Sequence, residues 1–396
     1  MNETSLSPHI FVKPDSIDID VFTEICSQQT DPARYPNCTA ISHNVVLYDA
    51  AVLRAAMSHD KPALQSELHD VLQRGPGVLV IRRAYTDVAV IDRHTEVFRQ
   101  IFEDEVKHGI SADHFAKAGI NGRIWNVLQK TAEKSPDSFI EYYSNPLMAL
   151  VAEAWLGPYY QVTAQVNVVH PGGQAQQPHR DYHLGFQSVE EAARYPIPVH
   201  VLSQYLTLQG AVAHSDMPLE TGPTLLLPFS QQYDLGYLAW RRPDFIDYFH
   251  EKAVQLPLRK GDMLFFNPAL FHAAGTNRTM NQQRTANLLQ ISSAFGKPME
   301  SVNRDTMVLA LYPLLLKRLE EGELDEYAVN AVIAASADGY SFPTNLDTDP
   351  PLKGLAPQTG QHLLLQALQE RWTFEQFSRS VAAQQYKRKA ADSTQE

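Results

Sequence analysis

Between Gln161 and Ser293 one local pattern recurs, and it restricts the fold more than any other feature of the chain. In QVTAQVNVV (161–169), Val162, Ala164, Val166 and Val168 alternate with Thr163, Gln165 and Asn167. A period of two puts the two sets on opposite faces of a strand. Pro171-Gly172-Gly173 then makes a turn. Further short apolar runs follow: VHVLSQYLTLQG (199–210), PTLLLPF (223–229), AVQLPL (253–258), DMLFFN (262–267) and RTANLLQISS (284–293). Several short strands joined by turns imply a sandwich or a barrel.

The flanks read differently. Residues 1–48 are rich in Asp, Pro and Ser and are expected to form an irregular arm. From Asp49 to Arg74, Leu53, Met57, Leu64, Leu68, Val71 and Leu72 recur at helical spacing, and Gly75-Pro76-Gly77 ends the run. GVLVIRRAY (77–85) reads as a buried strand, and 86–157 as mostly helical. Helices return after about residue 300, including Tyr327–Ala337 and one with a capping box at Thr373-x-x-Gln376. The expected plan is a single catalytic domain over 1–396, mainly β at its core with helical wrapping. It divides into an arm and helix (1–76), a β core with helical insertions (77–295), C-terminal helices (296–385) and a disordered tail (386–396).

Composition narrows the function classes. A formal net charge of −12 argues against a partner with a phosphate backbone, so no nucleic acid is expected. Only Cys26 and Cys38 occur, too few for a disulfide scaffold, and neither belongs to a C-x-x-C pair. Runs such as MLFF (263–266) are far too short to span a bilayer. No secretory signal is visible at the N-terminus, so the sequons at Asn2, Asn37 and Asn277 read as chance. The expectation is a soluble, cytoplasmic protein with no membrane partner.

Chemistry concentrates in QQPHRDYHLGF (177–187). If this is a strand, His179, Asp181 and His183 share a face. One imidazole and one carboxylate two positions apart can take adjacent positions on a metal, as in the two-histidine, one-carboxylate triad of non-haem iron. With 15 histidines in the chain, H-x-D alone says little. Downstream, however, His272 lies in GDMLFFNPALFHAAGTNRT, and twelve residues later Arg284 opens RTANLLQISS. An arginine fork near such a site suits a carboxylate. The ordered set of four is far more specific than its parts.

These segments resemble the phytanoyl-CoA dioxygenase family of Fe(II)/2-oxoglutarate oxygenases over roughly residues 75–295, through GVLVIRRAY, QVNVVHPGGQAQQPHRD, TGPTLLLPFSQQYD and KGDMLFFNPALFHAAGTNR. Pro228-Phe229-Ser230-Gln231 departs from that family's Pro-Gly-Ser-His. The resemblance implies a double-stranded β-helix (jelly roll, cupin-like). It also implies that His179, Asp181 and His272 bind iron and act in catalysis, and that Arg284 holds the distal carboxylate of 2-oxoglutarate. Gln176 and Thr224 match further co-substrate positions. The implied reaction consumes O2, decarboxylates 2-oxoglutarate to succinate, and hydroxylates or otherwise oxidises a small-molecule substrate. The alternative is a cupin-type metal enzyme that uses no keto acid. Since the family uses three ligands, His183 reads as a neighbour of the metal or a substrate contact. Gln165 and Asn167 face either a pocket or solvent. DHFAKAGINGRIWN (113–126) reads either as a lid offering Lys117, Arg123 or Trp125, or as a connector whose Trp packs on the core. Neither the substrate nor the oligomeric state is legible.

Overall fold

The computed structural model describes residues 10–108, 121–352 and 354–390. Among the described residues ten strands form two sheets: β1 (Ala40–Ser42), β2 (Val45–Asp49), β3 (Val78–Arg82), β4 (Asn121–Ile124), β5 (Gln161–Val169), β6 (Thr207–Ala213), β7 (Leu225–Leu226), β8 (Met263–Phe266), β9 (His272–Ala273) and β10 (Arg284–Ser292). The larger sheet runs β1-β2-β3-β8-β6-β10-β5-β4, and every pair except β2–β3 is antiparallel. The smaller pairs β7 with β9 and is widened by single bridges, His179 to His272 and Leu226 to Val254. The two sheets face each other as a jelly roll.

Alternation explains what lies between and outside them. Val78, Val80, Ala211, Leu264, Phe266 and Ala286 of the large sheet meet Leu226, Leu258 and Leu270 from the other side. Their neighbours Leu79, Ile81, Val212, Phe265, Leu289 and Ile291 point outward, under the helices Ala50–Gln73, Pro146–Leu156, Arg304–Glu320 and Glu326–Ser336. The outer side of the small sheet is covered by Ile19–Cys26 and Pro243–Lys252, through Phe22, Phe245, Phe249 and Phe271.

Several boundaries differ from expectation. Residues 197–204 form a helix, Ile197–Gln204, so only the second half of VHVLSQYLTLQG is strand. Pro196 and Pro198 set up its first turn, and burial of His200, Ser203 and Gln204 follows helical spacing that the V-H-V alternation masked. AVQLPL contributes only isolated bridges, because Pro257 lacks the N–H a ladder needs. The long helix starts at the Asp49 cap as expected but breaks at Asp60, ahead of Pro62. β4 was not expected: it lies in the 113–126 stretch, of which 113–120, with Lys117, fall outside the described residues. The capping box at Thr373 and Gln376 is present, and its helix, Phe374–Arg388, runs into the stretch expected to be a tail.

Candidate metal centre

The two histidines meet because their backbones pair. His179 N–H donates to the His272 carbonyl at 2.9 Å, and His272 N–H donates back at 3.1 Å. A hydrogen-bonded antiparallel pair carries its side chains on one face, and the ring centroids stand 4.4 Å apart. Beyond them Asp181 N–H donates to Pro268 O, which swings its carboxylate across the pair.

Each ring is fixed in the same way. His179 Nδ1 lies 2.8 Å from Gln177 O and His272 Nδ1 lies 2.9 Å from Leu270 O. A carbonyl only accepts, so Nδ1 carries the proton and Nε2 offers its lone pair. Those Nε2 atoms lie 3.6 and 3.4 Å from the Asp181 oxygens, and the three ligand atoms all fall within 4.8 Å of one another. Adjacent ligands ~2.1 Å from one ion stand ~3 Å apart, so the arrangement fits a single ion after small rotations.

The protonation states also fit. Burial, and then His272, hold the His179 imidazole below its ordinary range, so it is neutral. Burial alone would raise the Asp181 carboxyl, but His179, His272 and Gln209 outweigh it and hold the group well below the usual carboxylate range. Two imidazoles bound through Nε2 and one carboxylate would leave a divalent ion with a net positive charge.

Two residues that sequence reasoning missed hold this set. Gln209 on β6 donates its Nε2 to Asp181 Oδ2. Arg180, between the two ligands, is fully buried and donates to Ser230 O and Tyr233 O, with Tyr237 and Phe271 rings each 5.1 Å from its guanidinium carbon. Gly236 lets the guanidinium pass, since any Cβ there would collide with it. Gln231, in the departing Pro228–Gln231 segment, donates to Gly75 O and ties that turn to the end of the long helix.

Arg284 opens β10 with 6% of its surface exposed. Its Nε donates to Thr221 O at 2.9 Å and its Nη2 to Gly275 O at 3.4 Å, so it spans the loops that precede β7 and follow β9. Gly222, in the first of these loops, has φ +71° and abuts Gly275 and Thr276. No acid pairs with Arg284 among the described residues, and burial draws its pKa down to about 10. Gln176 pairs with Ala274 through its backbone N–H at 3.0 Å and its Oε1 at 3.4 Å. Thr224 is half-buried just before β7.

His183 does not join the cluster. The chain leaves extended geometry at Tyr182 (φ 64°) and His183 (φ 44°) and enters the turn His183–Phe186, so the alternation that aligned it with His179 ends one residue after Asp181. Gln165 and Asn167 are buried in the jelly roll rather than solvated. Arg123 on β4 donates to Gln165 Oε1 at 3.0 Å and lies over the Trp125 ring.

A stretch of 145 residues is 29% identical to Dioxygenase cdmD of Talaromyces verruculosus, covering 37% of this chain and 43% of that protein. Another of 156 residues is 28% identical to Dioxygenase trt7 of Aspergillus terreus, covering 38% and 49%. The chain thus spans just under half the length of the curated relatives it matches. Among solved structures it is similar to the alpha-ketoglutarate-dependent epimerase SnoN from nogalamycin biosynthesis (TM-score 0.42, 20% identity, 59% of this chain and 84% of that one). It is also similar to AviO1 from Streptomyces viridochromogenes (TM-score 0.42, 12% identity, 58% and 95%). Residues 74–286, more than half of the sequence, match the profile of the phytanoyl-CoA dioxygenase (PhyH) family, and the chain belongs to that family.

Proposed function

We propose that this protein is an Fe(II)- and 2-oxoglutarate-dependent dioxygenase that hydroxylates or otherwise oxidises a small organic molecule. The observation that carries the reading is the convergence of His179 Nε2, His272 Nε2 and the Asp181 carboxylate, with each Nδ1 held by a backbone carbonyl. When bound, Fe(II) and 2-oxoglutarate supply the oxidising chemistry, in which substrate, O2 and 2-oxoglutarate give oxidised substrate, succinate and CO2.

The chain's own part is positioning. His179, Asp181 and His272 hold the iron, and Gln209 fixes the tilt of the Asp181 carboxylate. Arg284, a buried cation without an acidic partner among the described residues, receives the distal carboxylate of 2-oxoglutarate by a two-pronged hydrogen bond. Gln176 and Thr224 flank the same end of the small sheet and complete the co-substrate pocket. The apolar interior between the sheets excludes water around the reacting carbon.

We take the chain as one catalytic unit. Among the described residues no helix is long and apolar enough to cross a membrane. A cytoplasmic location accords with two unpaired cysteines. The test is turnover: pure protein with Fe(II) and O2 should convert 2-oxoglutarate to succinate, and a chelator should stop it. Succinate formation that persists after the iron is stripped would overturn the reading.

A further inference from the structure

The face of the large sheet that looks into the jelly roll carries a band of carboxamides, of which the chemistry above uses only Gln209. Alternation puts Gln165 and Asn167 of β5, Gln209 of β6 and Gln290 of β10 on this face, with Ala211 and Leu264. Gln290 lies directly opposite Gln209, and Leu288 opposite Gln165. All four amides are at least nine-tenths buried.

Gln165 is satisfied by Arg123 and the Met299 sulfur. The other three are not: Asn167 Oδ1, Gln209 Oε1 and Gln290 Oε1 have no hydrogen-bond partner among the described residues. The orientation of Gln209 is settled, because its Nε2 faces a carboxylate, which only accepts. An acceptor oxygen beside the metal ligands is therefore left open, and its cross-strand neighbour Gln290, with its Cβ about 5 Å from that of Gln209, carries a second. Buried acceptors without donors are costly, and native interiors contain few of them. Ala211, Leu264, Phe266 and Leu288 lie beside the band, and the charged groups that touch it are Arg123 at Gln165 and Asp181 at Gln209. The band itself bears no charge.

We propose that the organic substrate is a neutral molecule with an apolar skeleton that presents two or more hydroxyl or N–H donors to Gln209, Gln290 and Asn167. This rests on the oxygenase reading above. Gln290 and Asn167 then determine specificity, while Gln209 serves both the metal ligand and the substrate.

The test uses a matched probe pair, a decalin diol and its dimethyl ether, titrated calorimetrically into the protein loaded with Fe(II) and 2-oxoglutarate under argon. The diol binds at least about 10-fold more tightly than the ether. Gln290→Leu and Asn167→Leu each bring that ratio close to one. A second arm needs no ligand: each variant of the free protein melts at the same temperature as the parent or higher, because a carbon side chain replaces an unsatisfied amide. Equal or tighter binding of the ether, binding of neither probe, or a fall of several degrees in the melting of both variants overturns the proposal. The visible band of the parent protein with Fe(II) and 2-oxoglutarate alone reports separately on the oxygenase reading.

Discussion

The large sheet carries histidines and carboxamides near both of its faces, and only one face builds a site. On the outer side His94 and His214 are fully or nearly buried. His94 Nδ1 meets Ser138 Oγ at 2.8 Å, and its ring stacks on Tyr142. Asn287 donates to the Tyr142 and Tyr143 hydroxyls, Tyr142 O–H donates to His214 Nε2, His214 Nδ1–H donates to Thr95, and Thr95 donates to Ile91 O. From Asn287 to Ile91 each group hands its hydrogen bond onward, His94 Nε2 stays without a partner, and no carboxylate touches either ring among the described residues. On the inner side the rings of His179 and His272 spend Nδ1 on their own backbone and aim Nε2 at Asp181. Burial alone does not mark the site, since His272 is as buried as the outer pair while His179 and Asp181 are less so. What differs is convergence: the inner Nε2 atoms meet at a carboxylate, and the outer nitrogens do not.

The largest effect that could break this contrast concerns turnover. His272→Ala or Asp181→Asn should lower succinate formation more than about 100-fold, because the ion loses a direct ligand. His94→Phe should leave it within a few-fold and act on melting instead. Comparable losses at both positions would erase the distinction.

Next is the co-substrate end. Arg284→Leu should weaken 2-oxoglutarate binding by about 2–4 kcal/mol, roughly 30- to 1,000-fold, with iron affinity preserved. Unchanged 2-oxoglutarate affinity would instead favour a metal enzyme that uses no keto acid.

A smaller effect sharpens the account of the supports. Gln209→Leu leaves one Asp181 oxygen without its donor, and Gly236→Ala drives a methyl into the Arg180 guanidinium. Either change should cost about 10- to 100-fold in iron affinity. Cobalt(II) absorption should report it as altered ligand geometry, which a loss of global stability alone does not produce.

The smallest effect belongs to the outer chain. Burial pushes the His214 pKa down to about 3 and holds His94 well below its ordinary value. Both are neutral when folded and take up a proton on unfolding below about pH 6.5. Stability should therefore fall as the pH drops through that value toward 3, by up to about 1.4 kcal/mol per pH unit for each ring. Thermal melts between pH 8 and 5 should show the slope, and His214→Phe should remove its own share.

Much of the centre was legible because ligand types and local spacing are sequence properties. His179, Asp181 and His272, which the fold brings together, could be picked out in order with Arg284 after them, and QVTAQVNVV beside Arg284 was visible as a period-two run. What the sequence withheld depends on long-range register or on single backbone torsions. Gln209 reaches Asp181 only because β6 lies beside β10 in the sheet. His183 was aligned with His179 by counting, and two positive φ angles undo that count. The helix at 197–204 lay under an alternation that suits a strand equally well, and β4 exists only because β5 offers it an edge. Arg180 carries no signal in the sequence, because its burial by Tyr237, Phe271 and the 230–233 carbonyls is a tertiary fact.

The central claim is that three side chains hold one ion, and anaerobic equilibrium dialysis against Fe(II) with elemental analysis tests it most directly. One iron should be retained per chain by the parent protein and by the His94→Phe variant, and none by His179→Ala, Asp181→Asn or His272→Ala at the same free concentration. Iron that stays with the folded His272→Ala protein, or departs with His94→Phe, would contradict it.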